Sequence, residues 1–291
     1  METAGEVVQA YVAVQLERLL AAAPAVRAGE DDAVHDARVV TRRLRAVLSV
    51  YRPALDRTVT DPLRDELAEL GRALGAARDP HVERHALLRR LAHEDPDLVV
   101  GPIEHRIDED RSAARLLAQD EVDAWLASAR FGALVATLST DLPGGPQADR
   151  DAATFLPRRA RRAWRRLDRA VELAAQAPSG VDRDEALHEV RKAARRARYA
   201  SEVAVPVVGP AARRSARRAH RVQEVLGTQH DAVVRQETLR RLAHQAELDG
   251  ESTFTHGRLH ALEHAAAQEA ERAAMTPVRK AVRRGHRRWT R

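Results

Sequence analysis

A stretch of twelve residues occurs twice in this chain, and the repetition limits its possible folds more than any other feature. Val34 to Arg45 aligns with Leu187 to Arg198 at an offset of 153, keeping the pattern HxxRxxxRRxR at every named position. Leu74-Gly75 to Asp79 aligns with Leu226-Gly227 to Asp231 at an offset of 152, and Tyr11 with Trp164 at 153. Three anchors separated by a one-residue slip define a unit of about 150 residues repeated in tandem. The expected organisation is a first helical bundle over 1–138, a linker over 139–150 and a second, strongly basic bundle over 151–291. The linker is expected because Ser139-Thr140-Asp141-Leu142-Pro143-Gly144-Gly145-Pro146 is built from turn-forming residues rather than helix formers.

Both copies read as helix. Ala, Leu, Arg and Glu dominate, and apolar residues recur at spacings of three and four. An all-α chain follows, with helices expected near 4–22, 32–51, 61–76, 80–93, 102–119, 121–138, 154–176, 184–204, 210–226, 229–248, 252–273 and 277–289. The breaks are expected at Pro53, Pro62, Pro80, Pro96, Pro206, Pro210 and Pro277, since proline lacks the N–H and clashes with the preceding turn. Asp31 and Asp184 each stand four residues ahead of the histidine of their repeat, His35 and His188, and are expected as N-caps.

At about 100° per residue, His35, Arg38, Arg42 and Arg45 fall within an arc of about 80° on one helix face. His188, Arg191, Arg195 and Arg198 repeat that arc, and Lys192 flanks it. No acid occurs from 37 to 55 or from 190 to 201 to neutralise either row. One such row alone is ordinarily a solvated face; two at matched positions, each opening with His, point to a bound anion. Arginine suits that task, because its planar fork donates two parallel hydrogen bonds to phosphate oxygens and keeps its charge.

Charge is unevenly spread. Residues 1–150 hold 19 basic and 26 acidic side chains, net −7, whereas 151–291 hold 30 and 17, net +13. The second half adds rows at 158–169, including Arg165, and at 213–221, including Arg214, Arg217, Arg218 and Arg221. These rows are expected to extend a polyanion groove, with pairing to acids such as Asp61, Asp65, Glu66 and Glu69 as the bland alternative.

The absence of Cys excludes disulfides, zinc–thiolate sites and a cysteine nucleophile. A P-loop is also absent. No metal is expected at His35 or His188, which lack HxxxH or HExxH spacing; His256, His260 and His264 form the one run worth testing with metal. No cofactor is expected. The N-terminal stretch lacks the basic and apolar regions of a secretion signal, and no apolar run is long enough for a membrane span, so a cytoplasmic protein without membrane contact is expected.

The two His helices, HisAspAlaArgValValThrArgArgLeuArg at 35–45 and HisGluValArgLysAlaAlaArgArgAlaArgTyr at 188–199, with the LeuGly…Asp stretches at 74–79 and 226–231 read as turns, resemble the CHAD domain, the conserved histidine α-helical domain. The likeness covers nearly the whole chain, leaving no room within it for the triphosphate-tunnel domain often fused to such members. The resemblance implies two four-helix-type bundles related by a pseudo-twofold axis, with a basic cleft or pore between them. It also implies non-catalytic binding of inorganic polyphosphate, and association with polyphosphate or polyester granules. The contacts it implies are His35, Arg38, Arg42, Arg45, His188, Arg191, Lys192, Arg195 and Arg198. Two alternatives stay open. Nucleic acid offers the same repeated phosphates, as a weaker competitor, because nine aromatics are few for base stacking. A phosphoryl-processing enzyme would use His35 or His188 as its nucleophile.

Overall fold

Thr3 and Glu6 cap each other at the start of the first helix: the Thr3 hydroxyl accepts from the Glu6 N–H, and the Glu6 carboxylate accepts from the Thr3 N–H at 2.7 Å. The computed structural model describes residues 2–290, and among them the chain is helical with no strand, only two isolated bridges. Helices α1 (Ala4–Arg27), α2 (Asp31–Val50), α3 (Arg57–Leu91), α4 (Ile103–Ala127) and α5 (Ala129–Ser139) come first. Helices α6 (Ala152–Gln176), α7 (Val181–Val203), α8 (Val205–Val208), α9 (Pro210–Leu248) and α10 (Phe254–Ala281) follow, with a final 3₁₀ segment at Arg284–Thr290.

Successive long helices pack on each other in both sets, and the sets meet where α1 and α2 lie against α6 and α7. One apolar core runs through that junction, from Ala4 to Ala281. Polar anchors cross it: the buried Tyr51 hydroxyl donates to the Ala200 carbonyl at 2.6 Å, and Tyr11 donates to Glu202 at 3.0 Å. A second, smaller core joins the far ends of the long helices, with Leu87, Leu91, Ile103 and Ile107 against Leu239, Leu242 and Leu259. Ion pairs seal that end, Arg241 with Asp110 and Arg90 with Glu263 among them.

Several expected breaks are absent. Pro62 and Pro80 lie inside the 35-residue α3, and Pro277 lies inside α10. An interior proline costs about 3 kcal/mol. Here the remaining helix buries Leu63, Leu67, Leu70, Leu74 and Leu87, and each buried leucine contributes about 1.5–3 kcal/mol. The stretches at 74–79 and 226–231 are therefore not turns; they lie within α3 and α9. Asp31 and Asp184 are not N-caps either. The cap positions are Glu30 and Gly180, because each helix begins at or before the aspartate expected to cap it.

Residues 140–151 are tied down rather than free. The Asp56 N–H donates to the Pro143 carbonyl at 2.8 Å, Gln147 N–H to Pro53 at 2.9 Å and Gly5 N–H to Ala148 at 2.9 Å. Gly145 is required there, since a Cβ would stand 2.4 Å from the Leu55 carbonyl oxygen.

Candidate functional site

Helix α2 turns Val34, Ala37, Val40, Thr41 and Leu44 into the core, and α7 does the same with Leu187, Val190, Ala194 and Ala197. Burial of those stripes leaves His35, Arg38 and Arg42 on one helix and His188, Arg191 and Arg195 on the other, on the faces where α2 and α7 approach. Across that approach the cations act on one another. Burial, then repulsion from Arg42, presses the pKa of the Arg195 guanidinium down to about 10. Burial also lowers Arg42, with Arg38 and Arg191 adding to it, while the Tyr199 hydroxyl bonds to the guanidinium and opposes the shift.

The long helices α3 and α9 complete the cluster. Arg38 and Asp79 form a two-point ion pair, with Nη2 to Oδ2 at 2.9 Å. Gly75 faces the Arg38 guanidinium, and a Cβ there would sit 3.4 Å from Nη2, so glycine lets the arginine lie close against α3. From α9, the His230 ring stands 5.0 Å from that of His188. Burial, followed by Arg191 and His188, pushes His230 down to about 4. Burial is likewise the main cause that lowers His35 and His188 from the ordinary imidazole range, with neighbouring cations adding to it. At neutral pH these rings are therefore uncharged hydrogen-bonding groups. Burial raises the Asp231 carboxyl, opposed by Arg191 and Arg235.

Asp31 and Asp184 hold the His helices to α3 and α9. Asp31 lies 2.9 Å from His81, 3.6 Å from Arg115 and 3.7 Å from Arg78, and Asp184 accepts from Gln229 at 2.6 Å. Arg78, Asp79, Tyr199, His230 and Asp231 are not among the candidates that the sequence singles out. The repeated Leu-Gly…Asp anchor is the signal for four of them, and reading it as a turn hides it.

Of the remaining candidates, Lys192 stands beside His188 and the others lie elsewhere. Arg45 sits beside Arg64 and Arg72 of α3. Lys192 pairs with Glu189 at 2.6 Å, and Arg198 turns to Glu202 at 2.8 Å and to His220. Arg165 lines a separate cavity with Asp168 and Arg287. On α9, Arg214 and Arg221 are exposed, Arg218 stands near His286, and Arg217 lines a further cavity with Arg213. Of the His256, His260 and His264 run, His256 is buried with neither ring nitrogen bonded. Among the described residues no group of three His, Asp or Glu side chains is placed to hold a metal ion.

A cavity of about 760 Å³ opens where α2 ends and α3 begins, against α6 and α7. Arg57, Arg64, Arg158, Arg159, Arg162, Arg166 and Arg196 line it. Arg159 donates to the Val50 carbonyl at 2.8 Å. Asp61 pairs with Arg52 and Arg64, Glu66 with Arg130 and Glu69 with Arg72, all within the first half of the chain. Those acids are thus engaged locally rather than with the α6 row. Arg196, whose neighbours are Arg166 and Arg64, links this cavity to α7 and so to the His cluster.

Chemically, such an arrangement can hold a polyvalent oxyanion. Five guanidiniums, Arg38, Arg42, Arg78, Arg191 and Arg195, gather around three carboxylates, Asp31, Asp79 and Asp231, with neutral imidazoles between them. The surplus is positive, half-buried and forked, which favours several phosphate oxygens at once.

The sequence model of the CHAD domain matches residues 10–240. Two Mycobacterium tuberculosis proteins, uncharacterized protein MT2285 of strain CDC 1551 / Oshkosh and uncharacterized protein Rv2226 of strain ATCC 25618 / H37Rv, are each 33% identical over 279 residues. The match takes in 94% of this chain and 53% of each relative, so the chain spans about half their length. Among solved structures, PptA from Streptomyces chartreusis superposes with a TM-score of 0.77 at 24% identity, covering 95% of this chain and 99% of that one. The CHAD domain from the plant Ricinus communis superposes with a TM-score of 0.65 at 24% identity, covering 97% and 92%. These structures share the all-α fold.

Proposed function

The chain belongs to the CHAD domain family, and we propose that it binds inorganic polyphosphate without converting it, through the cation cluster between α2 and α7. The observation that carries this reading is the gathering of Arg38, Arg42, Arg191 and Arg195 between α2 and α7, where burial, and after it their mutual repulsion, lowers Arg42 and Arg195. A polyanion relieves that repulsion and makes charge-assisted hydrogen bonds in its place. The polymer then continues past Arg196 into the arginine cavity along α6 rather than along the 213–221 row, which lies on another side of α9.

Nucleic acid is the weaker competitor in this reading. The aromatic ring at the cluster, Tyr199, is only 2% exposed and offers no platform on which a base could stack. Among the described residues no helix is long and apolar enough to cross a membrane. Polyphosphate recognition would bring the protein to polyphosphate granules in the cytoplasm, with the surface of polyester granules as the other granule partner of this reading.

Competition at fixed salt tests the proposal. Long-chain polyphosphate is set against double- and single-stranded DNA, heparin and ATP, with Arg42→Ala plus Arg195→Ala as the variant. Two charge-assisted contacts at about 1.5–3 kcal/mol each correspond to about a 10²–10⁴-fold loss. Polyphosphate displaced by DNA at equal phosphate concentration, or a variant that binds as tightly as the parent, refutes the assignment.

A further inference from the structure

A second cavity, of about 890 Å³, lies between α1, α7 and α9, and its lining relates to that of the arginine cavity by an offset of 153. Ala10 answers to Ala163, Arg43 to Arg196, Pro206 to Pro53 and Arg217 to Arg64. One wall keeps Ala10 and Ala163 in common but has diverged in charge. Where α6 presents Arg158, Arg159, Arg162 and Arg166, α1 presents Val7, Ala10, Val14 and Gln15, and Glu6 stands where Arg159 does.

That wall is unsuited to a polyphosphate chain, which needs a cation for each successive phosphate. It is suited to hydrocarbon. Val14 is 45% exposed on it, and Val205, Pro206 and Ala216 face it from the other side. Charge there is either exposed, as at Glu2 and Arg18, or paired. Glu202 is occupied by Arg43, Arg198 and the Tyr11 hydroxyl. Glu6 is occupied by its cap. Arg213 and Arg217, one helical turn apart on α9, are exposed at the rim. Inside, Gln15 is 2% exposed and its Oε1 has no hydrogen-bond partner. A buried amide oxygen left unpaired costs about 1–3 kcal/mol, and a ligand O–H or N–H removes that cost. An apolar body with a few convergent polar groups is the usual character of a small-molecule site.

We propose that this cavity binds a free amphipathic organic anion: hydrocarbon along α1, an anionic head at Arg213 and Arg217, and a hydroxyl or N–H donor to Gln15. The site is independent of the polyphosphate reading, and neither depends on the other's success.

The probes are 1-anilinonaphthalene-8-sulfonate, which carries an apolar body, an N–H and one anionic head, and dodecanoate as a competitor. Fluorescence titration of the full chain is expected to give saturable one-to-one binding of the sulfonate. Dodecanoate displaces it, dodecanol does so at least tenfold more weakly, and tripolyphosphate does not. Val14→Asp, at an exposed position that the fold tolerates, and Arg213→Ala plus Arg217→Ala are each expected to weaken binding tenfold or more. Arg159→Ala plus Arg162→Ala, in the opposite cavity, leaves it unchanged. Circular dichroism confirms that each variant is folded. Absence of saturable binding, binding indifferent to Val14→Asp and to the α9 double variant, or displacement by tripolyphosphate overturns the proposal.

Discussion

Replacing Arg195 with methionine should make the free protein more stable and weaken its hold on polyphosphate. At neutral pH Arg195 is charged whether the chain is folded or not. Its pKa falls from the ordinary guanidinium range to about 10 in the fold, so the native state resists that charge. The penalty is present in full below pH 10 and fades as pH rises above 10. At 1.36 kcal/mol per tenfold shift the penalty is about 3 kcal/mol, and solvent screening at a half-buried site brings it to about 1–2 kcal/mol. Methionine keeps the length of the aliphatic stem and removes the charge. An unfolding entropy of about 2.1 cal/mol/K per residue over 291 residues converts that gain to a rise in Tm of about 2–3 °C. Binding moves the other way: methionine cannot make the charge-assisted hydrogen bond to phosphate, and affinity for the polymer falls about 10–100-fold. Differential scanning fluorimetry with and without polyphosphate, alongside a direct titration, reads both effects. A Tm unchanged or lowered without ligand, or a raised Tm with undiminished affinity, refutes the reasoning.

Affinity for polyphosphate should fall about 10³–10⁵-fold between 50 and 200 mM salt if about eight phosphates are neutralised, taking the duplex-DNA rule as guide; titration at four salt concentrations gives the slope. Because His35, His188 and His230 are held below their ordinary range, the unfolded chain takes up their protons first, and the free protein loses stability as pH falls from about 6.5 towards 4. Polyphosphate should oppose that loss, and its affinity should rise over the same interval, as thermal melts and titrations between pH 8 and 5 would read. Arg159→Ala plus Arg162→Ala should weaken long polymers more than short ones, whereas Arg214→Ala plus Arg221→Ala, at exposed positions of α9, should change either by less than about threefold; binding of sized polymers to both pairs decides it.

The His helices were legible because the apolar spacing of α2 and α7 fixes which face is buried, and the cations occupy what is left. Arg45 and Arg198 shared the arc but lie at its edge, ten residues beyond the histidines and so about 15 Å along the helix. The structure gives each a different neighbourhood, with Arg64 and Arg72 for one and Glu202 for the other. Arg78 and His230 were hidden by a local rule. Asp79-Pro80 signals a break, yet burial along α3 outweighs it, and the unbroken helix carries Arg78 and Asp79 to the cluster. The charge rows were visible as composition only. Which of them lines a cavity depends on what faces them, and sequence periodicity carries no information about the facing helix.

The unequal charge of the two halves acquires a physical meaning through the paired cavities. A groove lined on one side by four α6 arginines, with few free acids, is stable only because most of those guanidiniums stay near water or bind an anion. The corresponding groove on α1 has exchanged that demand for an exposed valine, Val14, and a buried amide oxygen without a partner. Each arrangement leaves an unmet requirement, and the two requirements are chemically opposite. A single long polyanion satisfies the first and not the second. If polyphosphate binds as proposed, entry at the α2–α7 cluster leads the polymer towards α6, and the direction is set by the facing helices rather than by the two histidines.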